Sequence, residues 1–229
     1  AQELEHAEDL RRYLLSDVAH ELRHPIHIVQ GNLQAILDGV YPLEMTEISG
    51  LADETHHLSA LVNDLYELAQ AEANQLPMHK QELDLVELAA KTAEAFQPLA
   101  ASQEIQLTAD LPAAPILINC DADRMRQVLQ NLLNNALQHT PANGQITVSI
   151  QPASSGAEIC IQDSGAGIDP EHLPHIFDRF YRADPARDRQ SGGAGLGLAI
   201  ARAIIEAHGG KIKAASAGKD KGSTFIITI

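Results

Sequence analysis

An α-helical hairpin followed by an α/β domain is the fold class this chain predicts, and three observations carry it. Up to about residue 75 apolar positions recur every three or four residues and no strand-like run interrupts them. At Gln75-Leu76-Pro77 that periodicity stops. Beyond it, short runs rich in β-branched residues alternate with long amphipathic stretches, the pattern of a sheet covered by helices. The expected domains are residues 1–77 and 78–229.

In the first helix Leu15, Val18, Leu22, Ile26, Val29, Leu33 and Ile36 form one apolar stripe. In the second, Ile48, Leu51, Leu58, Leu61, Leu65 and Leu68 form another. The stretch DGVYP at 38–42, with Gly39 and Pro42, is a short loop that turns the chain back on itself. A lone hairpin cannot cover two such stripes, whereas two hairpins paired into a four-helix bundle can. A homodimer is therefore expected.

In the second domain the strand-like runs are IQLTADL (105–111), PILINC (115–120), QITVSI (145–150), AEICIQD (157–163), KIKAAS (211–216) and STFIITI (223–229). Between them lie the helical stretches LVELAAKTAEAFQPLA, DADRMRQVLQNLLNNALQHT and LGLAIARAIIEAHG, the last stopped by Gly209-Gly210. Aromatics make up 3% of the 229 residues and Trp is absent, so the cores must be aliphatic.

Charge and composition exclude several function classes. A net charge of −15 argues against a nucleic-acid surface. No apolar run approaches the ~18 residues of a membrane span, and AQELEHAEDLRR is no signal peptide. Cys120 and Cys160 have no zinc spacing and read as reduced thiols of a cytoplasmic protein. Residue 1 reads as a cut end, with a sensor region and any membrane contact preceding it.

The stretch HELRHP (20–25) admits three readings. His20-Glu21-Leu22-Arg23-His24 fits H-E-x-x-H, a zinc-hydrolase pattern, but Pro25 disrupts the helix at the second ligand. It also fits a solvated polar face. On a wheel of ~100° per residue His20 lies roughly 160° from the apolar stripe, with His24 and His27 beside it. The third reading is a phosphoacceptor: a neutral imidazole is nucleophilic near pH 7, and Glu21 or Asp17 can hold one ring N–H while the other nitrogen presents its lone pair.

The second domain chooses among them. DSGAG (163–167) follows a strand and GGAGLGL (192–198) opens a helix, framing a loop too long for structural filler. Gly195 and Gly197 at a helix N-terminus let backbone N–H groups approach a phosphate chain. The spacing fits neither the Walker A nor the dinucleotide fingerprint. Asn131 and Asn135 lie at i, i+4 on one helix face, where asparagine is unfavourable without a reason. An amide oxygen is a suitable ligand for Mg²⁺ on ATP phosphates.

With these motifs in order, the chain resembles the sensor histidine kinases. SDVAHELRHP is similar to their H-box, QNLLNNALQHT to the N-box, DSGAGI to the G1 box, IFDRFYR to the F-box, GGAGLGLAI to the G2 box and GSTFIITI to the G3 strand. The resemblance implies a dimerisation and phosphotransfer domain followed by an ATP-binding α/β sandwich of the gyrase-like (Bergerat) fold, using ATP and Mg²⁺. It implies His20 as phosphoacceptor and Glu21 as general base. Asn135 would hold Mg²⁺, with Asn131 one turn before. Asp163 would accept from the adenine amino group, Gly165 and Gly167 would give room to the base and a lid hinge, and Phe177, Phe180 and Tyr181 would pack the lid. Arg182 would approach the γ-phosphate. Gly193, Gly195 and Gly197, flanked by Leu196 and Leu198, would line the triphosphate, with His139 and Thr224 completing the site. The implied partners are a second copy of the chain and the receiver domain of a response regulator.

Three positions refine this. Related hydrolytic ATPases carry a water-activating glutamate where Asn131 stands, and an amide is a poor base, which suits transfer to His20. His24 occupies a position that is usually Thr or Asn, so phosphatase activity toward the regulator is expected to be weak. The N-box ends in Gln138-His139-Thr140, without the usual phosphate-facing lysine.

Overall fold

The computed structural model describes residues 18, 22, 23, 25–73, 75–153, 156–183 and 194–229. The chain divides into two compact units, one ending at Glu67 and the other beginning at Leu68.

In the first unit, helix α1 covers residues 25–37 and α2 covers Met45–Glu72. The turn between them is set by Gly39, whose φ of 70° places it in the left-handed region. The Val40 N–H donates to Ala35 O at 2.8 Å and the Gly39 N–H to Ile36 O at 3.1 Å, a Schellman stop that satisfies the last carbonyls of α1. Leu61 and Pro25 are buried, and Val18, Leu22, Val29, Ile36, Leu51, Leu58 and Leu65 are half-buried. Ile26, Leu33 and Ile48, expected in the apolar stripes, are instead 40%, 46% and 43% exposed. Each stripe is wider than the arc one neighbouring helix can cover.

The second unit begins with β1 (Gln81–Asp84), which the sequence did not suggest because four mostly polar residues carry no alternation. Its strands continue with β2 (Gln106–Asp110), β3 (Leu117–Cys120), β4 (Gln145–Pro152), β5 (Ala157–Asp163), β6 (Lys211–Ala215) and β7 (Thr224–Thr228). Its helices are α3 (Leu85–Ser102), α4 (Ala122–His139) and α5 (Gly197–Ala207). β1 pairs antiparallel with β3. The other strands form one sheet in the order β2-β4-β5-β7-β6, parallel only between β2 and β4.

Strand alternation places one face of that sheet in the core. Ile146, Val148 and Ile150 of β4, Ile159 and Ile161 of β5, and Phe225 and Ile227 of β7 are all buried. α4, with Met125, Val128, Leu129, Leu132 and Leu133 buried, packs against β5, and α5, with Ile200, Ile204 and Ile205 buried, packs against β6 and α4, giving a two-layer α/β sandwich. α3 and α4 start at the aspartates Asp84 and Asp121, whose carboxylates accept from the first free helix N–H groups. Among the described residues no helix is long and apolar enough to cross a membrane. Cys120 and Cys160 are free thiols.

Candidate functional site

β5 delivers Asp163 to the sheet end, where it is buried. A buried carboxylate needs donors, and here they are local. Oδ1 accepts from the Gly165 N–H at 2.8 Å and the Ser223 N–H at 3.2 Å, and the Ser223 hydroxyl donates to Oδ2. The Asp163 N–H returns a bond to Ser223 O at 2.9 Å. Ser223 therefore meets Asp163, and Thr224, expected at the nucleotide, lies next to it in β7, paired with Gln162 and Ala215.

The glycines of the turn admit backbone. A Cβ on Gly165 would lie 2.3 Å from His139 O, and one on Gly167, whose φ is +70°, would lie 2.1 Å from Gly218 O. His139 contributes its carbonyl, which accepts from the Ala166 N–H at 3.0 Å, while its side chain is exposed. A second loop, 216–222, backs this turn. Ser216 Oγ accepts from the Ile168 N–H at 3.0 Å and donates to Gly222 O at 2.7 Å. The Gly222 N–H donates to Gly165 O at 3.0 Å. Ser216, Gly222 and Ser223 were not singled out from sequence, because their partners lie roughly fifty residues or more away along the chain.

Asn131 and Asn135 are both half-buried on α4. The Asn131 amide nitrogen donates to Gly197 O at 3.0 Å, joining the middle of α4 to the first residue of α5. Leu196, the residue before α5, is buried, and among the described residues no side chain caps the helix. Among the described residues the first N–H groups of α5, including that of Leu198, thus have no side-chain acceptor.

The segment after the turn folds back on the same region. Phe177 meets Phe225 edge-on, with ring centroids 6.2 Å apart. Phe180 has φ +57° and donates its N–H to Gly195 O at 3.0 Å. Gly195 is required there, since a Cβ would lie 2.9 Å from Phe180 C. The Tyr181 hydroxyl is 2.8 Å from His172 Nδ1, and its ring lies 5.5 Å from that of His175. Arg182 follows, half-buried. His20, Glu21, His24 and Gly193 lie outside the described residues.

At the opposite ends of α4 and α5 lies a second polar cluster. The Asp121 N–H donates to His208 Nε2 at 3.0 Å, and His208 Nδ1 faces Ile204 O at 2.8 Å. A carbonyl only accepts, so Nδ1 carries the proton and Nε2 accepts, which defines a neutral ring. Burial lowers the His208 pKa; Lys80 adds to this, while Ile204 O and Asp121 oppose it. Asp121 itself is held below the usual carboxylate range. Burial opposes its charge but is outweighed by the backbone N–H groups of His79, Arg124 and Asp123 and the charge of Arg124. Lys80 Nζ donates to Ala207 O at 3.1 Å.

Apart from that cluster, the α/β unit carries the buried Asp163 carboxylate, two half-buried amides and a helix start that no described side chain caps. A carboxylate acceptor suits an exocyclic amine, an amide oxygen suits Mg²⁺, and free N–H groups suit phosphate oxygens, so this donor set fits a nucleotide.

Residues 120–229 match the family described as histidine kinase-, DNA gyrase B- and HSP90-like ATPase. Residues 10–74 match the His Kinase A (phospho-acceptor) domain. The chain is 37% identical over 215 residues to the signal transduction histidine-protein kinase BaeS of Escherichia coli, covering 94% of this chain and 46% of that protein. It is 34% identical to the structure of the Acinetobacter baumannii histidine kinase AdeS, with a TM-score of 0.77, covering 92% of this chain and 96% of that one. A structure of the histidine kinase ThkA in complex with the response regulator protein TrrA is 25% identical, with a TM-score of 0.76, over 97% of this chain and 62% of that one. The chain spans less than half the length of the curated relative BaeS. It belongs to the sensor histidine kinases and comprises their helical hairpin and ATPase-like domain.

Proposed function

From that membership we propose that the chain is an ATP:protein-histidine phosphotransferase core, with residues 1–77 as the dimerisation and acceptor domain and 78–229 as the nucleotide domain. The observation that carries the nucleotide half is the buried Asp163 carboxylate, fixed by Gly165 and Ser223, in the same unit as the uncapped start of α5. The adenine amino group donates to Asp163, and the α5 N–H groups receive the phosphates. Asn135, whose amide has no hydrogen-bond partner among the described residues, holds the Mg²⁺ that offsets phosphate charge. Phe177, Phe180 and Tyr181 pack the covering segment, and Arg182 and Gly193 approach the phosphates.

In the transfer step a lone pair of the His20 imidazole attacks the γ-phosphorus. The bond from that phosphorus to the bridging β–γ oxygen breaks, ADP leaves, and Glu21 takes the ring proton. The phosphoryl group then passes to an aspartate of a response regulator; ThkA, solved with such a partner, supports that acceptor class. Pairing of two hairpins into a four-helix bundle covers the apolar residues that one hairpin leaves exposed.

The test is labelling with [γ-³²P]ATP followed by acid and alkali washes. A phosphoramidate is lost in acid and kept in base, and label stable to acid would contradict the reading. His24 adds an imidazole, partly protonated near pH 6.5, where a neutral amide or hydroxyl would orient water. Phosphatase activity toward the regulator is accordingly weak, and His24→Thr raises the decay rate of purified phospho-regulator while autokinase stays near normal.

A further inference from the structure

Asn131 stands on the α4 face that meets the phosphates in the reading above, yet its amide nitrogen is committed to protein. It donates to the Gly197 carbonyl at 3.0 Å. The orientation is unambiguous, since a carbonyl oxygen accepts only and must face Nδ2 rather than Oδ1. The contact is close without being forced, because a Cβ on Gly197 would lie 3.6 Å from Asn131 Cγ, an ordinary separation.

This bond has a counterpart. At the other end of the same helix pair the Asp121 N–H donates to His208 Nε2. Asp121 precedes α4 and His208 follows α5, while Asn131 lies mid-α4 and Gly197 begins α5. The two helices therefore run antiparallel, tied by a polar contact at each end of α5. The buried residues of both helices are apolar, and apolar packing alone fixes register weakly because it is non-directional. The tie at Gly197 sits at the start of α5, where no described side chain caps the helix and the first N–H groups can take an outside acceptor.

We propose that Asn131 is a positioning residue that acts on the nucleotide through Gly197: it holds the first turn of α5 so that its free N–H groups face the triphosphate. It does not act as a metal ligand. A carboxylate at this position would set oxygen against oxygen at Gly197, so the amide is required for a reason independent of water activation. The inference rests on the nucleotide reading for its ligand, but the tie can be tested without one.

The experiment compares wild type, Asn131→Leu and Asn135→Ala in the whole chain. Without nucleotide, hydrogen exchange is followed at the amides of Ile200 and Ala201. Asn131→Leu speeds their exchange about tenfold, the weight of one net hydrogen bond, while Asn135→Ala leaves it unchanged. ADP affinity then falls in Asn131→Leu by a similar factor with Mg²⁺ and with EDTA. KM for ATP rises, and the single-turnover labelling rate at saturating ATP stays within about threefold of wild type. Asn131→Ala answers the same questions should the leucine variant fail to fold. Unchanged exchange in α5, or an affinity loss confined to Mg²⁺, would overturn the proposal and make Asn131 a direct ligand. A wild-type protein that binds no ADP would instead defeat the nucleotide reading, with the exchange measurement still judging the tie.

Discussion

The two units solve the burial problem differently. In the α/β unit a sheet face is closed by helices, and among the described residues only Leu99 and Leu117 are large apolar side chains left exposed. The described residues of the hairpin expose ten: Ile26, Leu33, Leu37, Val40, Tyr41, Leu43, Met45, Ile48, Val62 and Tyr66. Its buried apolar side chains are few, with Leu61 the clearest. The α/β unit closes its own core, whereas the described residues of the hairpin leave an apolar surface that the proposed pairing with a second copy would cover.

The largest effect should come from attacking that difference. Calorimetry of the chain should show two transitions, with only the hairpin midpoint rising with protein concentration. Ile48→Glu combined with Val62→Glu should weaken self-association a hundredfold or more, at roughly 1.5–3 kcal/mol per apolar side chain left uncovered. Ultracentrifugation reads this directly. A hairpin that melts independently of concentration would remove the need for a partner.

A smaller effect is expected at the nucleotide site. Asp163→Asn should weaken ATP binding by roughly 1–3 kcal/mol, the cost of a lost charge-assisted hydrogen bond. Calorimetric titration checks it, and the hairpin transition should not move. Unchanged affinity would mean that the pocket lies elsewhere.

The smallest effect concerns pH, and the units should respond with opposite sign. Asp64, on α2, is raised to about 6 by burial, reinforced by the Glu67 charge and opposed by His57. The folded hairpin therefore holds a proton that the unfolded chain has released, and its stability falls as pH rises from the usual 3.8 toward 6. His208 is depressed, so between its ordinary 6.5 and its folded value the unfolded chain holds the extra proton. The α/β unit thus keeps its full stability above pH 6.5 and loses some as pH falls below it. Melting curves between pH 4 and 8 test both slopes. Asp64→Asn should flatten the first and His208→Gln the second.

How much of this was legible in the sequence follows the same division. Alternation in AEICIQD matches β5 at Ala157–Asp163, and the apolar period of DADRMRQVLQNLLNNALQHT matches α4 to within two residues, because both elements pack on a single core. β1 was not legible, since a short exposed edge pairing needs no hydrophobic pattern. At the site the buried Asp163 and the glycines stood out as motifs. The role of Gly165 and Gly167 did not: they admit the carbonyls of His139 and Gly218, contacts that exist only once distant segments meet. For the same reason Ser223 was not singled out, and the bond from Asn131 to Gly197 could not be foreseen. On the hairpin, periodicity marked apolar positions correctly but could not tell which of them one chain leaves exposed.

The proposed function divides the labour, with the acceptor on the hairpin and the nucleotide on the α/β unit. It is tested most directly by measuring label transfer and ATP affinity on the same preparation of His20→Ala. The expected result is no acid-labile ³²P and an unchanged ATP dissociation constant. Label persisting in His20→Ala, or an ATP affinity that falls with it, would contradict it.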